Sequence, residues 1–155
     1  MDKILVLDCG AQYGHLIARA VRQLGVYSEI VPAESVDRLS DDVKGVIISG
    51  GPSSVYDTGS PRPEIFSGVP TLGVCYGHQY IAYALEGDVR RSDKKEYGPA
   101  KARILGGPLM EGLSAVEDVW MSHGDSVASL PEGFEIYAST DNCPIAAYGN
   151  QERQL

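Results

Sequence analysis

The chain has 155 residues, enough for one domain with a sizeable buried core, and its 43% hydrophobic and 22% charged residues are ordinary for a soluble globular protein. A net charge of −8 argues against binding to nucleic acid or to an anionic membrane surface. No apolar run approaches the ~20 residues of a membrane span, and the N-terminus has no signal-peptide pattern. Three cysteines without metal-ligand spacing predict a reducing, cytoplasmic location and no metal site.

The first half of the chain alternates between strand and helix patterns. Residues 13–24 carry apolar side chains at helical spacing, and Gly25 follows them as a stop signal. Short, mostly apolar runs predict buried parallel strands at residues 3–7, 26–31, 45–49 and 71–74. We therefore predict a doubly wound, mostly parallel α/β sheet with helices on both faces.

The second half has a different pattern. Short strand-like runs separated by Gly, Pro and Asp occur at residues 89–91, 100–105, 119–121, 135–139 and 145–148. They predict a meander or mixed-sheet extension, and residues 149–154 then read as a hairpin turn. Since no linker divides the chain, we predict a single domain over residues 1–155.

The segment around Cys75 has the pattern of a nucleophile elbow. Gly73 and Gly77 flank the cysteine, an apolar strand precedes it and a helix-compatible run follows it. Glycines are expected where such a strained turn brings backbone segments close together. The helix N-terminus is expected to lower the pKa of the thiol. The alternative is that Cys75 is a small buried hydrophobic residue.

Two other segments carry polar groups that could contribute to a binding site. Gly50 and Gly51 directly follow a buried strand, and their N–H groups could form part of an oxyanion hole, although a simple turn is the alternative. Because ligands gather at the carboxyl ends of parallel strands, this turn and Cys75 are expected at one edge of the sheet. Residues 120–125 place Ser122 and His123 after an apolar strand, where a capped turn is the alternative interpretation.

Together these motifs resemble the class I glutamine amidotransferases, a family with a flavodoxin-like fold. The resemblance lies in Gly-Val-Cys-Tyr-Gly-His-Gln at residues 73–79, Ser-Gly-Gly-Pro at 49–52 and Met-Ser-His-Gly-Asp at 121–125. Within the family, the opening residues 7–13 and Glu-Tyr-Gly at 96–98 are most similar to the glutaminase part of the GMP synthases.

The resemblance implies a role for each matching residue. Cys75 would attack the side-chain amide of glutamine, and the N–H groups of Gly51 and Tyr76 would hold the oxyanion. Gly50 and Gln79 would help to bind glutamine. The backbone around Ser122 and His123 would hold the substrate's amino and carboxylate groups.

The resemblance also implies a partner. Ammonia would pass to an ATP-pyrophosphatase subunit of GMP synthase, which uses ATP and Mg and converts XMP to GMP. This chain has no P-loop-like signature, so we expect no cofactor in the chain itself.

One family feature does not occur in the sequence. The family completes its triad with a His-Pro-Glu segment, but none of His15, His78 and His123 is followed by Pro-Glu. That segment would follow residue 155, so the chain is expected to be truncated, to lack its base and to be nearly inactive alone. We also expect the His78 ring to point away from the substrate.

Two further interpretations stay open. One is a catalytically silent binding or regulatory module on the same fold, which the absent base favours. The other is a related cysteine hydrolase with His directly after the nucleophile, and Tyr76 in that position counts against it.

Overall fold

A computed structural model of the chain describes residues 1–57, 62–66 and 68–155, except for the side chains of residues 93 and 94. Its strands and helices are β1 (Lys3–Asp8), α1 (Gly14–Gln23), β2 (Ser28–Pro32), β3 (Val43–Ile48), β4 (Thr71–Gly73), α2 (Tyr76–Ala84), β5 (Asp88–Ile104), β6 (Val116–Ser129), β7 (Glu135–Ser139) and β8 (Ala147–Gly149). Single turns of 3-10 helix include Ala33–Ser35, Pro63–Ile65 and Pro108–Met110.

The first four strands form a parallel sheet in the order β2-β1-β3-β4. Leu5, Val6 and Leu7 in the middle of β1 are all buried, as expected for a parallel strand covered on both faces. The helix α1 connects β1 to β2 and ends before Gly25, which has a φ of +80° and so adopts the left-handed conformation that favours glycine. The predicted α/β class is confirmed, and the strand order reverses between β1 and β3, where such sheets bind ligands.

The last four strands form a separate antiparallel sheet in the order β6-β5-β7-β8. The predicted extension by strands is correct, and the short strand predicted at residues 135–139 is β7, but the division of β5 and β6 into short strands is wrong. β5 and β6 form one long hairpin, and residues 122–125 lie inside β6 rather than in a capped turn. Pro99 is tolerated within β5 because β5 meets β7 only at Arg103 and Ile104, which leaves its other edge free at Pro99.

The helix α2 packs between the two sheets. Ile81 belongs to a buried cluster with residues of β1 and β3, whereas Tyr76 and Ala82 pack with Val89 of β5 and Val127 of β6. The N-terminus of α2 is thereby held against both sheets. In the residues that the structure describes, neither α1 nor α2 has the length and apolar character of a membrane-crossing helix.

The end of the chain turns back on itself, as the polar run after β8 predicts. The N–H of Asn150 donates to the Leu155 carbonyl at 2.8 Å, and the N–H of Leu155 donates back at 3.1 Å. The carbonyl of Gln154 also accepts the N–H of Thr71 at 2.8 Å. The final residues therefore lie beside the first residue of β4, the strand that leads to Cys75.

Candidate active site

Cys75 lies at a strained turn between β4 and α2. Its φ of +54° and ψ of −107° are unusual for a residue with a side chain, and α2 begins at the next residue. A Cβ on Gly77 would overlap the carbonyl oxygen of Ile48, and one on Gly73 would overlap the carbonyl of Gly77. The close backbone contacts expected of a nucleophile elbow are therefore present, and they require glycine at both positions.

A cavity of about 900 Å³ lies next to this turn. It is lined by six of the predicted site residues, namely Gly50, Gly51, Cys75, Gln79, Ser122 and His123. The side chain of the seventh, Tyr76, packs in the core against Tyr80 with ring centroids 5.8 Å apart. The side chain of Tyr76 is therefore not a contact for a ligand in this cavity.

The Gly50-Gly51 turn is held against the end of β1. The Ser49 hydroxyl accepts the N–H of Cys9 at 3.1 Å and donates to the Gly50 carbonyl at 3.0 Å. A Cβ on Gly50 would stand 3.5 Å from the Cβ of Cys75, whereas a Cβ on Gly51 would overlap the Cys9 carbonyl oxygen. The turn and the nucleophile are thus neighbours, and Ser49, to which the sequence pattern assigned no role, fixes the turn.

The Cys75 thiol is less acidic than the sequence pattern predicted. Although the residue as a whole is exposed, partial burial of the thiol raises its pKa above the ordinary value, and a hydrogen bond from the Tyr76 N–H opposes that shift only in part. The thiol donates to the carbonyl oxygen of Ser122 at 3.3 Å. The expectation of a lowered pKa is wrong because the loss of hydration outweighs the hydrogen bond from the Tyr76 N–H.

A single segment of β6 contacts both Cys75 and Gln79. The buried Gln79 amide donates through Nε2 to the carbonyl of Asp125 at 2.9 Å, and Ser122 accepts the thiol three residues earlier. Gln79 lines the cavity, and its amide is fixed by this hydrogen bond to β6. A bound ligand would therefore meet an amide whose orientation is already fixed.

His123 lies between these two contacts and is tied to the neighbouring strand. Its Nδ1 lies 3.0 Å from the Asp125 carbonyl oxygen, and its Nε2 lies 3.0 Å from Oε2 of Glu96. The Thr140 hydroxyl donates to the other carboxylate oxygen of Glu96 at 2.8 Å. In the sequence, Glu96 stands out only as part of a motif and Thr140 does not stand out at all, because contacts between strands leave no spacing signal.

The three histidines occupy different environments. His15 is exposed on α1. His78 is among the residues that line the cavity, its ring packs against Tyr148 with centroids 4.6 Å apart, and its Nε2 is buried without a partner among the described residues. Burial, with the charge of His123 as a smaller cause, lowers the pKa of His78 to about 4. Among the hydrogen bonds of the described residues, the thiol of Cys75 is bonded to a carbonyl and to no imidazole.

One group of side chains has the composition of a metal site. Ligand atoms of Glu96, His123 and Cys143 all lie within 4.8 Å of one another. Glu96 and His123 already bond to each other, to Thr140 and to the Asp125 carbonyl, so an ion would have to displace those bonds. The cluster is therefore explained by hydrogen bonding alone.

We predict that Cys75 is the first thiol to be alkylated, because it is exposed whereas Cys9 is half-buried and Cys143 is buried. The raised pKa of Cys75 means that its thiolate fraction, and hence its rate, should still increase as the pH rises beyond the pKa of a free cysteine. Peptide mapping after iodoacetamide treatment over a pH series measures both. Cys9, whose pKa burial raises to about 11, is the internal control, and equal labelling of Cys9 would contradict the prediction.

Comparison with known proteins agrees with this geometry. The family model described as glutamine amidotransferase class-I matches residues 5–155. The chain is 49% identical to the GMP synthase [glutamine-hydrolyzing] of Lactobacillus acidophilus and 47% identical to that of Corynebacterium glutamicum. These alignments cover 99% and 98% of the chain, but only 31% and 30% of those proteins.

Solved structures show the same fold. A putative GMP synthase subunit from Thermoplasma acidophilum superposes with a TM-score of 0.80 at 28% identity, covering 99% of this chain and 80% of that one. A glutamine amidotransferase from Thermotoga maritima superposes with a TM-score of 0.78 at 16% identity, covering 99% of this chain and 72% of that one, and supports the fold alone. A chain with this fold, this elbow and a family match over nearly its whole length belongs to the class I glutamine amidotransferases.

Proposed function

We propose that this chain is the glutaminase part of a GMP synthase. The observation that carries the proposal is the placement of Cys75 on the wall of a cavity that the Gly50-Gly51 turn and Gln79 also line. A nucleophile beside backbone donors and a fixed amide is what amide hydrolysis through a thioester requires.

The proposed reaction has two steps. Sγ of Cys75 attacks the side-chain amide carbon of glutamine, and the N–H groups of Gly51 and Tyr76 stabilise the oxyanion. The C–N bond then breaks, and the thiol proton is passed through a base to the departing nitrogen, which leaves as ammonia. Water hydrolyses the thioester, releasing glutamate and restoring the thiol.

The base is proposed to come from sequence beyond these 155 residues. The family resemblance assigns it to a strand with His-Pro-Glu, and the last residues of the chain lie beside Thr71 at the start of β4. A strand that ran parallel to β4 from this point would end next to Cys75. The raised pKa of the thiol makes such a base necessary at neutral pH.

The acceptor of the ammonia is proposed to be an ATP-pyrophosphatase part, with ATP and Mg bound there, which converts XMP to GMP. The chain spans about 31% of the length of its Lactobacillus relative, leaving room for such a part in proteins of this kind. The cavity is edged by exposed apolar side chains, including Tyr13, Leu109 and Trp120. A partner seated on this rim would shield ammonia from water. A cytoplasmic location is part of the same proposal.

The second candidate is a silent binding module on the same fold. The observation that favours it is the hydrogen bond of the Cys75 thiol to a carbonyl rather than to an imidazole. Such a module would bind glutamine without releasing ammonia.

We predict that the complete gene product releases ammonia from glutamine and that Cys75→Ser reduces the rate at least a thousandfold, because a serine hydroxyl is a far weaker nucleophile than a thiolate. Coupled measurement of ammonia and glutamate checks this, with Cys9→Ser as the thiol control, because Cys9 does not line this cavity. Binding of glutamine without turnover would support the silent module instead.

Gly51→Ala is predicted to lower glutaminase activity about a hundredfold. The added Cβ would overlap the Cys9 carbonyl and shift the proposed oxyanion donor, whose loss costs about 3 kcal/mol in the barrier. Gly14→Ala is the control, because a Cβ there meets nothing closer than 3.8 Å. An unchanged kcat in Gly51→Ala, with unchanged thermal stability, would exclude the oxyanion role.

Trp120→Ser is predicted to weaken association with the separately produced ATP-pyrophosphatase part by about thirtyfold, as expected for an aromatic residue at the centre of an interface. The Trp120 side chain is 74% exposed on the cavity rim. Leu24→Ser is the control, since Leu24 is 83% exposed at the end of α1 and does not line the cavity. Equal affinity for the two variants would place the docking surface elsewhere.

A further inference from the structure

A buried cluster of polar side chains links the antiparallel sheet to the cavity. It consists of Glu96 on β5, His123 on β6 and Thr140 after β7, and we name it the Glu96 cluster. The side chains of His123 and Glu96 are only 10% and 7% exposed. Polar groups this deeply buried are costly unless each is fully hydrogen-bonded.

The polar side-chain atoms of the Glu96 cluster all have hydrogen-bond partners. Both nitrogens of the His123 ring face oxygen atoms, one of them a backbone carbonyl that only accepts hydrogen bonds. Nδ1 therefore donates to that carbonyl, and Nε2 forms a second hydrogen bond with Glu96. The other Glu96 oxygen accepts from Thr140, whose hydroxyl oxygen accepts the N–H of Cys143 at 3.0 Å. No member of the cluster is left without a partner, so Glu96 holds the ring in one orientation.

The orientation of the His123 ring affects the proposed glutamine site because the ring is bonded to the backbone of β6. The Asp125 carbonyl that accepts from His123 is the same atom that accepts from the Gln79 amide. The Ser122 carbonyl, on the other side of His123, holds the Cys75 thiol. The position of this β6 segment therefore sets the positions of the Cys75 thiol and the Gln79 amide, two of the groups that line the cavity.

We propose that Glu96 is a positioning residue for glutamine: through His123 it fixes the β6 backbone at Ser122–Asp125, and thereby the Cys75 thiol and the Gln79 amide. Glu96 does not line the cavity, so it acts through His123 and not by touching the substrate. The inference rests on the proposed glutaminase function.

The test compares two reagents for Cys75 on the complete gene product. A diazo-ketone analogue of glutamine labels the thiol only when the substrate site is correctly formed, whereas iodoacetamide needs no such site. The ratio of the two labelling rates therefore reports the geometry of the site and is insensitive to a general change in thiol reactivity. It also separates positioning from stability, which thermal unfolding measures in parallel.

Glu96→Ala should lower this ratio about tenfold or more, because displacement of a reacting group by about 1 Å costs up to a hundredfold in rate. Glu96→Gln should keep it within about threefold, since an amide can accept from Thr140 and donate to a neutral His123. Glu135→Ala, which removes an exposed carboxylate from β7 in the same sheet, should leave it unchanged.

Thr140→Val offers a second route if Glu96→Ala does not fold. It removes the hydroxyl that donates to Glu96 at similar volume, and it should lower the ratio severalfold. An unchanged ratio in folded Glu96→Ala or Thr140→Val would overturn the inference, as would an equal loss in Glu96→Gln. One zinc per chain that disappears in Glu96→Ala would overturn it in favour of a metal site. If the wild type shows no preference for the glutamine analogue, the glutaminase function itself fails and this inference with it.

Discussion

The arrangement of the site depends on how closely the start of α2 packs against β3. The absence of side chains at Gly73 and Gly77 lets the helix backbone reach the Ile48 carbonyl, and this contact forces Cys75 into a conformation with positive φ. A residue held in that region stores strain that its surroundings must offset. Here the offset comes from α2, which is packed between two sheets and contributes to both buried clusters. The strain places the thiol beyond the sheet edge instead of within the core.

Neither sheet forms the site alone. The parallel sheet provides the elbow and the Gly50-Gly51 turn, whereas the antiparallel sheet provides the wall to which Cys75 and Gln79 are bonded. The β5–β6 hairpin matters because β6 carries the Ser122–Asp125 segment across to α2, although its register against β5 shifts between the pairs Glu96–His123 and Arg91–Asp125. Backbone carbonyls of a paired strand are more rigidly placed than those of a loop, so they can orient a thiol and an amide before substrate binds.

The sequence predicted the parallel strands, the elbow and the Gly50-Gly51 turn because these rest on local signals, whereas Gln79, Ser122 and His123 were assigned through the family resemblance. Apolar runs, glycines beside Cys75 and the end of a buried strand at Gly50 are all visible within a few residues. The antiparallel sheet was predicted less well, since Gly98 and Pro99 read as a turn although tertiary pairing with β6 keeps them in a strand. The partnership of Glu96 with His123 depends on the same strand register, which no local pattern encodes. The acidity of the thiol was misjudged because burial is a property of the whole fold.

Burial disfavours the charged forms of two residues that line the cavity, Cys75 and His78. Burial raises the pKa of the Cys75 thiol and lowers that of His78 to about 4, so neither forms its reactive charged state readily at neutral pH. His123 does not compensate, because both of its nitrogens are engaged by the Glu96 cluster and by β6. Among the described residues, neither of these two imidazoles is hydrogen-bonded to the Cys75 thiol, which donates to the Ser122 carbonyl. Under the proposed glutaminase function, thiolate formation depends on a separate base. A thiol that stays protonated until that base is in place then limits hydrolysis that no acceptor can use.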